Sequence, residues 1–317
     1  MKAAQVVALG RIQLVDAPEP RAPHAGEVIV SNETGCLCGS DIPFFSEAQP
    51  SYPLPLGLSL HEIIARVTAT ASPSFTVGDR VLAMPLGLFG CAERLLIGDD
   101  RLVPIDDELS NDAAVVSQPM ATVLSALSTI PSASGLTVAV VGQGPIGLLF
   151  DACLSELGAT RIIGIDSREA RVAQSLEFGA TDAFVTREPG GRDAIDRVAQ
   201  LTGGVMADLV VEAVGHEEQQ FNLAAALARN KGRVLFFGIP PDQQIDVALE
   251  PVVRKSLTVH TSVPEDLRPF VMNAQGMIKR GRIDPAKLVT HRFPFAQVQQ
   301  AFEAYRDRAG LKVILDF

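Results

Sequence analysis

The sequence predicts an α/β protein of two parts, a compact antiparallel β unit followed by a doubly wound parallel sheet. Three observations carry that reading. At 317 residues the chain exceeds what one core ordinarily supports. Its first third is rich in Pro and Gly and holds only short apolar runs, whereas beyond residue 120 strand and helix patterns alternate. The apolar run Leu136–Val141 leads directly into a glycine-rich turn and a helical stretch.

The N-terminal segment, Met1 to Gly10, reads as a first strand; Gln5 interrupts it and no small-residue cleavage site follows, which argues against a leader peptide. Runs of four to five residues then recur at 27–31, 63–67, 80–83 and 93–97, punctuated by Gly78-Asp79 and Gly98-Asp99. Leu136–Val141 is a strand of the kind buried on both sheet faces. Pro145 suits the first turn of the helix 145–157. A strand at 161–165 and a helix at 168–178, stopped by Gly179, follow. Segments 193–201, 208–212, 217–229 and 233–237 continue the alternation, and Pro240-Pro241 breaks it. A strand at 256–260, helices at 264–280 and 295–306, and a last strand at 311–316 complete the chain. The expected division is 1–118, 119–250 and a C-terminal segment 251–317 that returns to complete the first domain, because the N-terminal unit lacks helices of its own.

Composition narrows the function. Hydrophobic residues make up 47% and charged residues 20%, a globular mix. Lys and Arg total 27 against 37 Asp and Glu, a formal charge of -10 that disfavours nucleic acid and anionic lipid as partners. No stretch reaches the ~18 unbroken apolar residues of a membrane span. Four cysteines in this length make no disulfide framework, so a soluble, reduced, cytoplasmic chain is expected.

Gly142-Gln143-Gly144-Pro145-Ile146-Gly147 is a G-x-G-x-x-G between an apolar strand and a helix. Gly142 permits the tight turn, Gly144 lets a pyrophosphate approach the backbone, and Gly147 lets helix and strand pack closely. With Pro145 and Ile146 they place the phosphates at a helix N-terminus. Asp166 ends the next strand, where its carboxylate can accept from both ribose hydroxyls. It should repel the 2′-phosphate of NADP, so NAD is favoured, while Arg168, a guanidinium two residues on, leaves NADP open.

The N-terminal unit holds Cys36-Leu37-Cys38-Gly39-Ser40-Asp41 and, further on, His61-Glu62. Thiolate, imidazole and carboxylate are donors that zinc prefers, and three of them with one open position make a catalytic site. The boxes Cys38-Gly39-Ser40-Asp41, His61-Glu62, Val77-Gly78-Asp79-Arg80-Val81 and Gly142 to Gly147, with Phe237-Gly238 and the closing Lys312-Val313-Ile314-Leu315, resemble the medium-chain, zinc-containing alcohol dehydrogenase superfamily, sorbitol and threonine dehydrogenases included. The resemblance spans essentially the whole chain. It implies a GroES-like β domain joined to a Rossmann domain, with the active site in the cleft between them. It implies Cys38 and His61 as zinc ligands, Glu62 as a ligand or an exchangeable one, and Asp41 hydrogen-bonding the His61 ring. Ser40 would pass a proton towards solvent. Lys312 would lie near the pyrophosphate, or be a solvated terminal lysine.

Departures from the family pattern are specific. Gln118, before Pro119, stands where the family's third ligand is a Cys or Glu, and a neutral amide is a weak zinc donor. Leu60 replaces the Gly before His61, and Pro43 stands where relatives place a His. The chain passes from Met84-Pro85 to Gly90-Cys91-Ala92-Glu93 without the four-cysteine lobe, so one catalytic zinc and no structural zinc are expected. Cys36 and Cys153 read as core thiols, with Cys91 an outside candidate for a substitute ligand. Phe44, Phe45 and Tyr52 either line a substrate pocket or pack the β domain; His24, His216 and His260 show no partner pattern. The function expected from the resemblance is reversible, NAD-dependent oxidation of a secondary alcohol or small polyol, run in either direction between alcohol and carbonyl by a homodimer or homotetramer. Two rivals stand beside it: a zinc-free NAD(P)H-dependent quinone or enoyl reductase of the same fold, and a cofactor-binding protein without turnover.

Overall fold

The computed structural model describes residues 1–215, 219–240 and 244–317; His216, the expected helix start at Glu217 and Pro241 of the expected break lie outside them. The chain divides into two compact units, Met1–Ala121 with Arg268–Phe317, and Thr122–Leu267.

In the first unit β1 (Lys2–Ala8) and β2 (Arg11–Asp16) form a two-stranded antiparallel sheet. Then come β3 (Glu27–Cys36), the short helix α1 (Ile42–Ser46), β4 (Ile63–Thr70), β5 (Arg80–Ala83), β6 (Arg94–Gly98) and β7 (Leu102–Pro104). Helix α2 (Asn111–Ser128) carries Pro119 in its interior. Strand β3 alternates buried and half-buried residues over most of its length, the pattern of a strand with one face on a core.

The second unit alternates without interruption: β8 (Thr137–Val141), α3 (Pro145–Glu156), β9 (Arg161–Asp166), α4 (Glu169–Glu177), β10 (Asp182–Val185), α5 (Arg192–Leu201), β11 (Ala207–Glu212), α6 (Gln220–Leu227), β12 (Ala228–Phe236), α7 (Leu249–Arg254) and β13 (Thr258–His260). Its six strands lie in the order β10-β9-β8-β11-β12-β13, every pair parallel. That is the doubly wound arrangement, whose order reverses between β8 and β11; ligands bind beyond the carboxyl ends of strands at such a reversal. Val138, Val140, Ile163 and Val210 are fully buried or nearly so, which explains the unbroken apolar runs.

The chain re-enters the first unit with α8 (Arg268–Lys279), β14 (Val289–Pro294), α9 (Val298–Arg306) and β15 (Lys312–Asp316). Strand β15 pairs antiparallel with β3, Ile314 opposite Cys36, and parallel with β14. The return thus falls at Arg268 and not at residue 251, because β13 pairs with β12 as the sixth strand of the parallel sheet. Phe45 is fully buried and its ring centroid lies 5.4 Å from that of Phe302 on α9. Phe44 and Tyr52 pack against the same core, so of the two roles open to these aromatics the structure shows packing. Among the described residues no helix is long and apolar enough to cross a membrane.

Candidate metal centre and dinucleotide loop

Three segments converge beyond the end of β3. Cys36 donates its N–H to the Glu62 carbonyl (2.9 Å), and Leu37 donates to the Val313 carbonyl (2.9 Å). Cys38 then opens a single 3-10 turn, Gly39–Asp41, as its N-cap. Asp41, fully buried, ties the turn to the segment before β4: Oδ2 accepts the Cys38 N–H (2.8 Å) and Oδ1 the Leu60 N–H (2.8 Å). One carboxylate thus fixes the backbone next to both Cys38 and His61.

Ser59 and Leu60 reach His61 through positive φ, 97° and 72°. A non-glycine residue there is strained by about 1–3 kcal/mol, and such strain persists only where the surroundings over-determine it. The surroundings do so. Leu60 is fully buried; a Cβ on Gly35 would come within 2.8 Å of its Cδ2, and one on Gly90 within 2.4 Å of its carbonyl oxygen. Leu60 in place of the family's glycine is therefore wedged into the left-handed conformation that glycine adopts freely.

The ligand atoms of Cys38, His61 and Glu62 lie within 4.8 Å of one another. Sulfur, nitrogen and oxygen donors at that spacing fit a zinc ion. Burial disfavours the His61 imidazolium, but the neighbouring Cys38, then Glu62 and Asp41, hold it up at about 9. Glu62 is buried, and its Oε2 accepts from Lys312 Nζ at 2.6 Å; both side chains are at most 3% exposed. Lys312 Nζ also donates to the Leu37 carbonyl at 3.3 Å. Lys312 is therefore no solvated terminal lysine.

The Asp41 carboxylate differs from what the resemblance implied. It does not hydrogen-bond the imidazole: its two oxygens are taken by backbone N–H groups, and the ring's Nδ1 is buried without a hydrogen-bond partner. Ser40 is exposed on the 3-10 turn. Gln118 is buried in α2. Cys91 is buried too, its thiol pushed up by desolvation, and it is not one of the clustered donors.

In the second unit the loop after β8 behaves as its glycines require. Gly142 has φ 91°, and a Cβ on Gly147 would lie 1.8 Å from the Gly142 oxygen. Gly144 is the N-cap of α3, with Pro145 and Ile146 in its first turn. Asp166 ends β9, as its position required; its Oδ2 accepts the Gln143 N–H (2.7 Å) and Oδ1 the Arg168 N–H (2.9 Å). This carboxylate thus also braces the glycine loop. Sequence reasoning missed Glu212, fully buried at the end of β11, whose oxygens accept from the N–H groups of Val214, Gly215 and Gly238. A lone acid closing an apolar strand was the available signal.

Comparison with known proteins agrees with this architecture. Residues 24–109 match the family described as "Alcohol dehydrogenase GroES-like domain" and residues 145–270 that described as "Zinc-binding dehydrogenase". The chain is 28% identical over 319 residues to an L-threonine 3-dehydrogenase of Bacillus licheniformis, covering 91% of each chain. It is 24% identical to a sorbitol dehydrogenase of Bombyx mori, covering 96% of this chain and 94% of that one. An alcohol dehydrogenase from Thermus sp. ATN1 shares the fold with a TM-score of 0.89 at 23% identity, covering 100% of this chain and 99% of the other. The chain belongs to the zinc-containing medium-chain alcohol dehydrogenase superfamily and is an oxidoreductase.

Proposed function

We propose that the protein transfers a hydride between a secondary alcohol or small polyol and NAD, using one zinc ion held by Cys38, His61 and Glu62. The observation that carries the reading is the clustering of those three donors within 4.8 Å. Zinc, when bound, supplies Lewis-acid polarisation of the substrate oxygen. The chain's own residues do the rest. Asp41 holds the Cys38 and Leu60 backbones in register, which keeps thiolate and imidazole pointed at one locus. Ser40, exposed on its turn, is placed to exchange a proton at Oγ with solvent. Gly142, Gly144 and Gly147, with the N–H groups at the start of α3, bind the pyrophosphate. Asp166 keeps lone pairs for the ribose hydroxyls and discriminates against a 2′-phosphate, which favours NAD.

Polyols and secondary alcohols are the proposed substrates because the curated relatives are named for sorbitol and threonine. Four free cysteines suit the reducing cytoplasm. The test is elemental analysis of the purified protein together with NAD-coupled turnover across alcohols and polyols. Cys38→Ser is expected to lose both bound zinc and turnover by at least about 100-fold. Turnover that survives without metal would sink the mechanism, and quinone reduction by zinc-free protein would favour the reductase reading instead.

A further inference from the structure

The buried contact between Lys312 and Glu62 has a consequence for the metal. The Lys312 ammonium is buried in the first unit, 2.6 Å from a carboxylate oxygen that belongs to the candidate donor set. Its contacts are the Glu62 carboxylate and the Leu37 carbonyl, and Cys36, Cys38 and Tyr305 are close enough to act on its charge. Neither member of such a pair can be stripped of its partner cheaply, since a buried charge left alone carries its full desolvation cost. A fixed positive charge beside a divalent ion, in surroundings that water screens poorly, repels it.

We propose that Lys312 is a built-in counter-cation of the Cys38–His61–Glu62 site: it neutralises Glu62 in the metal-free protein, keeping the site folded, and weakens zinc binding so that the ion exchanges. The proposal rests on the assignment of zinc to these three residues. It makes Lys312 a positioning residue, acting on the ion through Glu62 without ligating it. Its sign does not depend on whether Glu62 leaves Lys312 on metal uptake or bridges the two, because the ammonium opposes the ion in both arrangements.

The test measures zinc affinity by competition with a chromogenic chelator, in wild type, Lys312→Met, Lys312→Gln and Lys312→Arg. Met fills similar volume without charge, Gln keeps a donor for Glu62 without charge, and Arg keeps the charge. Lys312→Met and Lys312→Gln are expected to bind zinc at least tenfold more tightly than wild type, with Lys312→Arg within about threefold of it. The neutral variants should also gain far more thermal stability from added zinc than wild type does, because their Glu62 then relies on the ion. Neutral variants that fold but bind zinc no more tightly than wild type would overturn the proposal. So would neutral variants that zinc cannot rescue, since an ion able to take the ammonium's place should restore them. Wild-type protein that binds no zinc removes the metal assignment itself; wild type that binds zinc with unchanged neutral variants removes only the role of Lys312.

Discussion

Asp151 shows how one side chain sets a pH dependence. It is fully buried on α3; Oδ2 accepts from Ser175 Oγ at 2.7 Å, while Oδ1 is buried without a donor. Desolvation pushes its carboxyl well above the usual aspartate range. The folded state then holds a proton that the unfolded chain releases near its ordinary value of 3.8, so stability contributed here falls as pH rises from that point towards the folded value. An asparagine is neutral at every pH and never has to bury a charge here. Asp151→Asn is expected to unfold like wild type near pH 3 and to be more stable at pH 8 by about 1–3 kcal/mol, the order of the cost of a poorly satisfied buried group that wild type alone carries there. Urea titrations at the two pH values check this; an equal difference at both would reject it. The same attention to single atoms separates what the sequence revealed at the metal centre from what it hid. The boxes around Cys38 and His61 pointed to the candidate donors that the fold brings within 4.8 Å, because residue type and spacing are themselves the chemistry. The partners of Asp41 and Lys312 were hidden, because they depend on which oxygen faces which backbone N–H across segments far apart in sequence.

At the scale of elements, the glycine loop offers a contrast between two glycines of one motif. A side chain on Gly147 would overlap the Gly142 oxygen, whereas nothing lies within 4 Å of a Cβ on Gly144, which is the extended N-cap of α3. Gly147→Ala is expected to push α3 off β8, lowering the melting temperature by several degrees and weakening NAD at least about 100-fold. Gly144→Ala should leave the melting temperature within about a degree and weaken NAD alone, because only the pyrophosphate needs that space. Calorimetry with and without NAD separates the two; equal loss of stability in both would contradict the assignment. Strands β8, β9 and β11 were legible because they are largely buried on both faces and read as apolar runs. Strand β10 escaped notice because its four residues, Asp182 to Val185, are only half-buried and carry no such signature. Strand β14 escaped for a related reason: its exposure alternates along a short, largely polar stretch without an apolar run.

At the scale of the molecule, β13 is the outer strand of the parallel sheet, with Val259 42% exposed and Leu249 and Val253 of α7 63% and 66% exposed. No described strand pairs with the outer side of β13, and such an edge with apolar neighbours invites pairing with another copy, as in the homodimer or homotetramer expected from the resemblance. Val259→Asp is expected to shift the protein to monomer in sedimentation velocity while each chain stays folded by circular dichroism; an unchanged sedimentation coefficient would move the interface elsewhere. The two-part architecture was legible from the change of rhythm near residue 120, but the point of return was not. Thr258–His260 is three residues long and owes its place to pairing with β12, which local pattern does not report.

The pairing of β15 with β3 also dictates an order of events during synthesis. Residues 122–267 are continuous and can acquire their structure as they leave the ribosome. The first unit must wait, because Lys312 meets Glu62 across a separation of 250 positions. Until then, nascent Glu62 has no ammonium beside it. The three clustered donors therefore come under the lysine's charge only once residues 312–316 have left the ribosome and β15 has paired with β3.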